Sequence, residues 1–288
     1  TYLSFIRFSH TVFALPFALT GALLAWREHQ FSWAQLILIV ICMVCARTAA
    51  MGFNRLVDAR FDALNPRTAF RELPTGAMTS REGIFLVVGA SAIFIAAAGF
   101  LNPLCFALSP LALVAVFWYS VSKRYTPYTQ LFLGVAMAIA PVGGWLAAGG
   151  GLGSEPWLLG VGIGLWVGGF DILYACQDFE FDRSHGLKSI PTYFGISWAI
   201  RFSRVLHVGT VTCLGALLVV ADLPLTYLSG VIIVAVLLIY EQSLVSVKDL
   251  SQVKRAFDIN GWVGVEGTLP WRLADSASVP GLVFRCPN

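Results

Sequence analysis

The sequence predicts an all-α fold: a polytopic membrane helical bundle with eight clear transmembrane helices. Three observations carry this expectation. Charged residues make up 12% of the chain and hydrophobic residues 57%, whereas soluble domains carry about 25% charged residues. Eight apolar runs reach or approach the ~17–25 residues that span a bilayer. The connections between them alternate between basic and non-basic, as in a chain threading back and forth across a membrane. No strand-type alternation competes with these long continuous runs. A net charge of +3 says little, because placement of charge matters more than its total.

The runs follow in order. The first, about Thr11–Trp26, shows no cleavable-leader pattern and is expected to be the first span. The second is Trp33–Phe53, and the long connection after it carries Arg55, Arg60, Arg67, Arg71 and Arg81. The third and fourth, Ile84–Leu101 and Leu104–Val121, are followed by Lys123 and Arg124. The fifth and sixth, Leu131–Ala148 and Trp157–Ala175, precede a connection holding Arg183 and Lys188, with Arg201 and Arg204 just beyond. The seventh and eighth, Trp198–Val220 and Pro224–Tyr240, precede Lys248, Lys254 and Arg255. The leader adds Arg7, and the other set of connections carries Arg27 alone. By the positive-inside rule the N-terminus and the basic loops are expected on the cytoplasmic side. After Asn260, Glu266, Pro270, Arg272 and Asp275 exclude a ninth span. Residues 1–260 therefore read as one transmembrane domain and residues 261–288 as an atypical tail.

Two acidic stretches stand at the ends of the second and sixth runs, on the same expected face. In the first, Asn54, Asp58 and Asp62 fall four apart. In the second, Tyr174, Asp178 and Asp182 fall four apart, with Asp171 three before Tyr174. A spacing of four stacks side chains on one face of a helix, so each stretch aims two carboxylates in one direction. For any one of these acids a solvated snorkelling side chain is the competing reading. Two such pairs on one face, in a chain with only 16 acids, favour a site for hard cations bound by oxygen. Mg²⁺ suits it, because that ion typically takes one or two carboxylates plus substrate phosphates.

Arg71, Lys123 and, less directly, Arg67, Arg124 or Lys188 could add charge-assisted contacts to phosphate. Alternatively they only anchor their loops to one side. Arg47 lies inside the second run, where an ionised side chain is costly. It is expected to face a polar cavity, contacting an anionic substrate group, or to pair with a structural partner. Cys42 and Cys45 form a C-x-x-C within a span and read as packing residues. The four His show no ligand-type spacing.

These residues resemble the UbiA superfamily of intramembrane prenyltransferases. Asn54, Asp58 and Asp62 match its first motif, Asn-Asp-x-x-Asp-x-x-x-Asp, with Arg55 at the motif's second residue, where an Asp usually stands. Asp178 and Asp182 match its Asp-x-x-x-Asp motif, and Asp171 and Tyr174 are similar to the flanking pattern. Arg67–Gly76 and Tyr119–Arg124 resemble the loops that place Arg71 and Lys123 on diphosphate. Arg47 stands seven before Asn54, like an Arg of the aromatic-acid prenyltransferases. His10–Pro16 and Gly186–Pro191 resemble the bacterial 4-hydroxybenzoate branch.

The resemblance implies transfer of a polyprenyl group from polyprenyl diphosphate to an aromatic acid in quinone biosynthesis. The acid would be 4-hydroxybenzoate or, alternatively, a dihydroxynaphthoate. It implies catalysis by Asp58, Asp62, Asp178 and Asp182 with Mg²⁺ between them, and substrate binding by Arg47, Asn54, Arg71, Lys123, Asp171 and Tyr174. The implied partners are the two substrates and the lipid bilayer, with no nucleic acid, and the implied location is the bacterial inner membrane, the site facing the cytoplasm. An ion-coupled carrier is the competing class, disfavoured because the acids sit at helix ends rather than at the midplane. A CDP-alcohol phosphotransferase ranks lower still, since its Asp-Gly-x-x-Ala-Arg signature is not present.

Overall fold

A computed structural model describes Phe5 and residues 8–66, 68–247 and 249–267. The helices are α1 (Phe8–Trp26), α2 (Trp33–Leu64), α3 (Ser80–Leu101), α4 (Pro103–Ser122), α5 (Thr129–Ala147) and α6 (Glu155–Ala175). A 3₁₀ turn, Cys176–Asp178, leads into α7 (Phe179–Ser184), α8 (Ile190–Phe194), α9 (Ile196–Val220), α10 (Leu225–Leu244) and α11 (Val253–Gly267). Among the described residues no strand forms; the one bridge, Ser246–Asp249, is isolated.

Seven helices (α2 to α5, α6 with its extension, α9 and α10) are long and apolar enough to cross a membrane. The apolar part of α1, Leu15–Trp26, is shorter. Large apolar side chains such as Phe85, Val205 and Ile239 point outward, which suits lipid and not water. The chain is a multi-pass integral membrane protein.

Local chemistry sets the helix starts. Ser32 caps α2 by accepting a hydrogen bond from the Gln35 N–H. Thr79 and Glu82 form a reciprocal capping box on α3, and Asn102 caps α4 ahead of Pro103. Ser189 and Thr192 do the same for α8, and Gly195, at φ +85°, turns the chain into α9. Each device satisfies N–H groups that a helix start leaves without partners.

The helices pack through small residues. Gly134 of α5 lies against the backbone of Gly164 on α6, and Gly21 and Gly144 let α1 and α5 touch backbone to backbone at Pro141 and Ala18. A side chain at these positions would push the helices apart. The core gathers Phe17, Trp26, Trp145, Leu159, Trp166 and Val167. At the rim opposite the acidic stretches, Arg27 donates to the carbonyls of Ala221 (2.6 Å) and Asp222 (3.1 Å). The one base of the short connections thus ties the α1–α2 loop to the α9–α10 turn.

Two features differ from expectation in a way that bears on the site. First, α2 has 32 residues, about 48 Å at ~1.5 Å per residue, against a hydrocarbon core of ~30 Å. It therefore overhangs the core by several turns, and the overhang carries Asn54–Asp62. Second, the chain after the last basic loop is helical. α11 begins at Val253, runs past Asn260 to Gly267 and packs on α10, α6 and α1. Its 15 residues fall below spanning length. The rest of the expected tail lies outside the described residues.

Candidate active site

The first acidic stretch lies along the overhanging end of α2. Asp58 and Asp62 are buried on one face, as their spacing requires, and Arg55 is buried beside them. Lys123 Nζ stands 2.7 Å from Asp58 Oδ2, and Arg124 Nη2 3.1 Å from Asp58 Oδ1. Arg124 also donates to the Val57 carbonyl at 2.8 Å and lies over the Phe61 ring at 5.4 Å. Asn54 donates a longer bond to Asp58 Oδ2, at 3.4 Å. Arg71 Nη1 sits 2.7 Å from both oxygens of Asp62. Thr68 Oγ1 donates to the Asp62 carbonyl at 3.1 Å, folding the following loop back on the helix. The bases expected to meet phosphate are thus held against the carboxylates expected to meet metal.

The second stretch departs from the single helical face. α6 ends at Ala175, the 3₁₀ turn intervenes, and Asp178 becomes the residue that precedes α7. Asp171 and Tyr174 belong to the end of α6, Asp178 to the turn and Asp182 to α7. All four are half-buried. The tightening of the backbone from 3.6 toward three residues per turn rotates Asp178 and Asp182 relative to Tyr174. The Tyr174 ring packs on Phe257 of α11, with centroids 4.7 Å apart.

The two stretches meet at one rim. The Leu187 N–H bonds to the Asp182 carbonyl (2.9 Å), and the Lys188 N–H to the Lys123 carbonyl (2.8 Å), while Lys123 grips Asp58. Lys188 itself is exposed and donates to the Tyr125 carbonyl at 3.1 Å, so it braces a loop and does not point at the acids. Arg67 lies outside the described residues. Tyr119 is within electrostatic reach of Arg47, Asp58 and Asp171, and Asp171 of Asp178. The sequence marks Tyr119 as the start of the Tyr119–Arg124 resemblance but gives its side chain no site role, although it stands four before Lys123, on the face that meets Asp58.

Below the rim lies a cavity of about 720 Å³ bounded mainly by α2 to α6. Its lining is apolar except for Ser109, Tyr119 and one charged residue, Arg47. Arg47 Nη1 is 4.0 Å from the Met137 sulfur, and its Nε has no hydrogen-bond partner. A guanidinium that faces an apolar cavity and has no carboxylate partner among the described residues is suited to receive an anion.

Mg²⁺ fits the donor chemistry of the rim: carboxylate oxygens from two helices, with no sulfur or imidazole among them. Among the described residues no three acids, His or Cys converge into a closed metal cage.

Comparison with known proteins agrees with this architecture. A profile of the UbiA prenyltransferase family matches residues 14–264. A 4-hydroxybenzoate octaprenyltransferase of Vibrio parahaemolyticus serotype O3:K6 (strain RIMD 2210633) is 34% identical over 236 residues, 81% of this chain and 82% of its own length. The apo structure of a UbiA homolog from Aeropyrum pernix K1 superposes with a TM-score of 0.84 at 36% identity, covering 91% of this chain and 97% of its own. A UbiA homolog from Archaeoglobus fulgidus bound to GPP and Mg²⁺ shares the fold, with a TM-score of 0.71 at 19% identity over 93% and 98% of the two chains. The chain belongs to the UbiA prenyltransferase family.

Proposed function

We propose that this protein transfers a polyprenyl group from polyprenyl diphosphate to an aromatic acid, 4-hydroxybenzoate, for quinone biosynthesis. The observation that carries the reading is the stacking of two unlike sites. A rim of carboxylates and bases stands over an apolar cavity whose one charged lining residue is Arg47.

In this reading Asp58, Asp62, Asp178 and Asp182 hold Mg²⁺ together with the diphosphate. Bound there, the ion supplies neutralisation of the charge that grows on the departing oxygens. Arg71, Lys123 and Arg124 exchange their carboxylate partners for diphosphate oxygens, and Asn54 holds Asp58 in place. Arg47 binds the carboxylate of the aromatic acid and so sets which end of the ring enters. Asp171 and Tyr174 form the substrate-binding wall between cavity and rim. The C1–O bond of the prenyl diphosphate breaks, giving an allylic cation and free diphosphate. The ring carbon ortho to the hydroxyl attacks the cation, and loss of a ring proton restores aromaticity. The apolar cavity wall shields the cation from water.

The basic loops favour an inner-membrane location with the rim facing the cytoplasm. Residues 1–260 carry the chemistry, and the tail from 261 begins inside α11.

The test is a membrane assay with radiolabelled 4-hydroxybenzoate, long-chain polyprenyl diphosphate, and Mg²⁺ or EDTA. An organic-extractable product that requires Mg²⁺ is expected. A product formed with dihydroxynaphthoate alone would move the acceptor, and no product with either acid would overturn the reading.

A further inference from the structure

Arg55 stands at the motif position where the family usually has Asp, one turn before Asp58. It is 5% exposed, and its Nη1 lies 3.6 Å from Glu72 Oε2, the two side chains being 6% and 13% exposed. Glu72 follows Arg71, whose Nη1 grips both oxygens of Asp62. Arg55 and Asp62 are seven apart, two turns of α2 on one face. Consecutive loop residues therefore reach two points along the same helix face, with opposite charge order at each. The loop also closes on itself. The Arg71 N–H bonds to Thr68 O, the Thr75 N–H to Arg71 O and the Met78 N–H to Glu72 O, at 3.0, 3.1 and 3.2 Å. Met78 is buried, and Gly76 takes a φ of +74°.

We propose that Arg55 and Glu72 form a clasp that holds the loop down and aims Arg71 at the diphosphate-binding carboxylates. Both are positioning residues, and the motif departure is an anchor and not a lost ligand. This rests on the prenyl-transfer reading for its consequence, although the clasp itself does not. A carboxylate at position 55 would add negative charge beside Asp58 and face Glu72, opening the loop. A bare charge buried at either end would do the same.

The variants are Arg55→Gln, Glu72→Gln, Arg55→Asp, and the exchanged pair Arg55→Glu with Glu72→Arg. Two readouts are taken on the full chain in detergent: chymotrypsin cleavage after Phe70, whose flanking residues Ala69 and Arg71 are the same in every variant, and steady-state kinetics. The clasp predicts at least fivefold faster cleavage in each single variant, with wild-type protection restored in the exchanged pair. It predicts a roughly tenfold rise in KM for polyprenyl diphosphate in each single variant, little change in kcat or in KM for the aromatic acid, and recovery in the exchanged pair. A melting temperature for each variant separates a loosened loop from a failed fold, and Arg55→Lys provides a milder variant expected to retain most protection. Wild-type protection in both Gln variants, or an Arg55→Asp variant that binds diphosphate as well as wild type, would overturn the clasp. Cleavage reads the clasp without turnover, so it tests the clasp even if no acceptor is prenylated.

Discussion

The two acidic stretches share a spacing and differ in helical continuity and in burial. Asn54, Asp58 and Asp62 ride one uninterrupted helix, with Asp58 and Asp62 buried and held by Lys123, Arg124 and Arg71 at 2.7–3.1 Å. Asp178 ends the 3₁₀ turn that follows α6, Asp182 lies on α7, and both remain half-buried. A four-residue repeat specifies a shared face only while the helix persists. The first stretch persists because α2 simply continues beyond the bilayer core. On the proposed reading the difference assigns unequal tasks: the α2 carboxylates, which pair with Lys123, Arg124 and Arg71, organise the loops that carry the bases, and the carboxylates after α6 complete the site.

The sharpest break of this comparison is Asp58→Ala against Asp178→Ala. Both are expected to reduce turnover to background, because each removes a carboxylate from the rim. Their stabilities should part. Asp58→Ala strands Lys123 and Arg124 and should cost about 1–3 kcal/mol, seen as a lower melting temperature in detergent. Asp178→Ala, at a half-buried position, should cost less than Asp58→Ala at its buried one. Near-normal turnover in either variant would remove its assigned role, and equal melting temperatures would erase the distinction between the stretches.

A second effect concerns the brace behind Tyr174. Asn260 accepts from Trp166 Nε1 at 2.7 Å and donates to Glu241 Oε1 at 3.0 Å, joining α11 to α6 and α10. Asn260→Leu removes a buried hydrogen bond from each partner and should destabilise by about 2–3 kcal/mol. Turnover should fall severalfold, because Phe257, one turn away on α11, is what the Tyr174 ring packs on. Unchanged stability and turnover would show that α11 is dispensable.

The smallest effect is at the far end of the loop. Thr79→Ala breaks the α3 capping box and should cost about 1 kcal/mol, with kcat unchanged. A large loss of kcat would mean that the start of α3 positions the loop more directly than the geometry suggests.

Much of this was legible in the sequence. Hydropathy located the eight long helices, from α1 to α6 with α9 and α10, because apolar runs of spanning length leave the backbone no alternative to helix in lipid. The basic loops also placed Asp58, Asp62, Lys123 and Arg71 on one face of the molecule, and there Lys123 meets Asp58 and Arg71 meets Asp62. Three features stayed hidden. The Cys176–Asp178 turn carries no Pro or Gly to announce it. α11 reads poorly by hydropathy because Lys254, Arg255, Asp258, Asn260 and Glu266 interrupt its apolar residues, and the partners that satisfy the buried Asn260 lie 19 and 94 residues away. The Arg55–Glu72 pair depends on how the α2–α3 loop folds back, and pairwise spacing carries no trace of it.

The most direct test of the central claim, that the aromatic acid lies under the rim with its carboxylate on Arg47, is a two-by-two kinetic comparison. Wild type and Arg47→Gln are each assayed with 4-hydroxybenzoate and with phenol, which lacks the carboxylate. The account predicts that Arg47→Gln lowers kcat/KM for 4-hydroxybenzoate by about 10²-fold, on the order of 3 kcal/mol for a charged hydrogen-bond partner. It predicts almost no further loss with phenol, because the missing carboxylate and the missing guanidinium report one contact. An equal loss with both acceptors would contradict it, placing Arg47 in the support of the helix and the acid elsewhere.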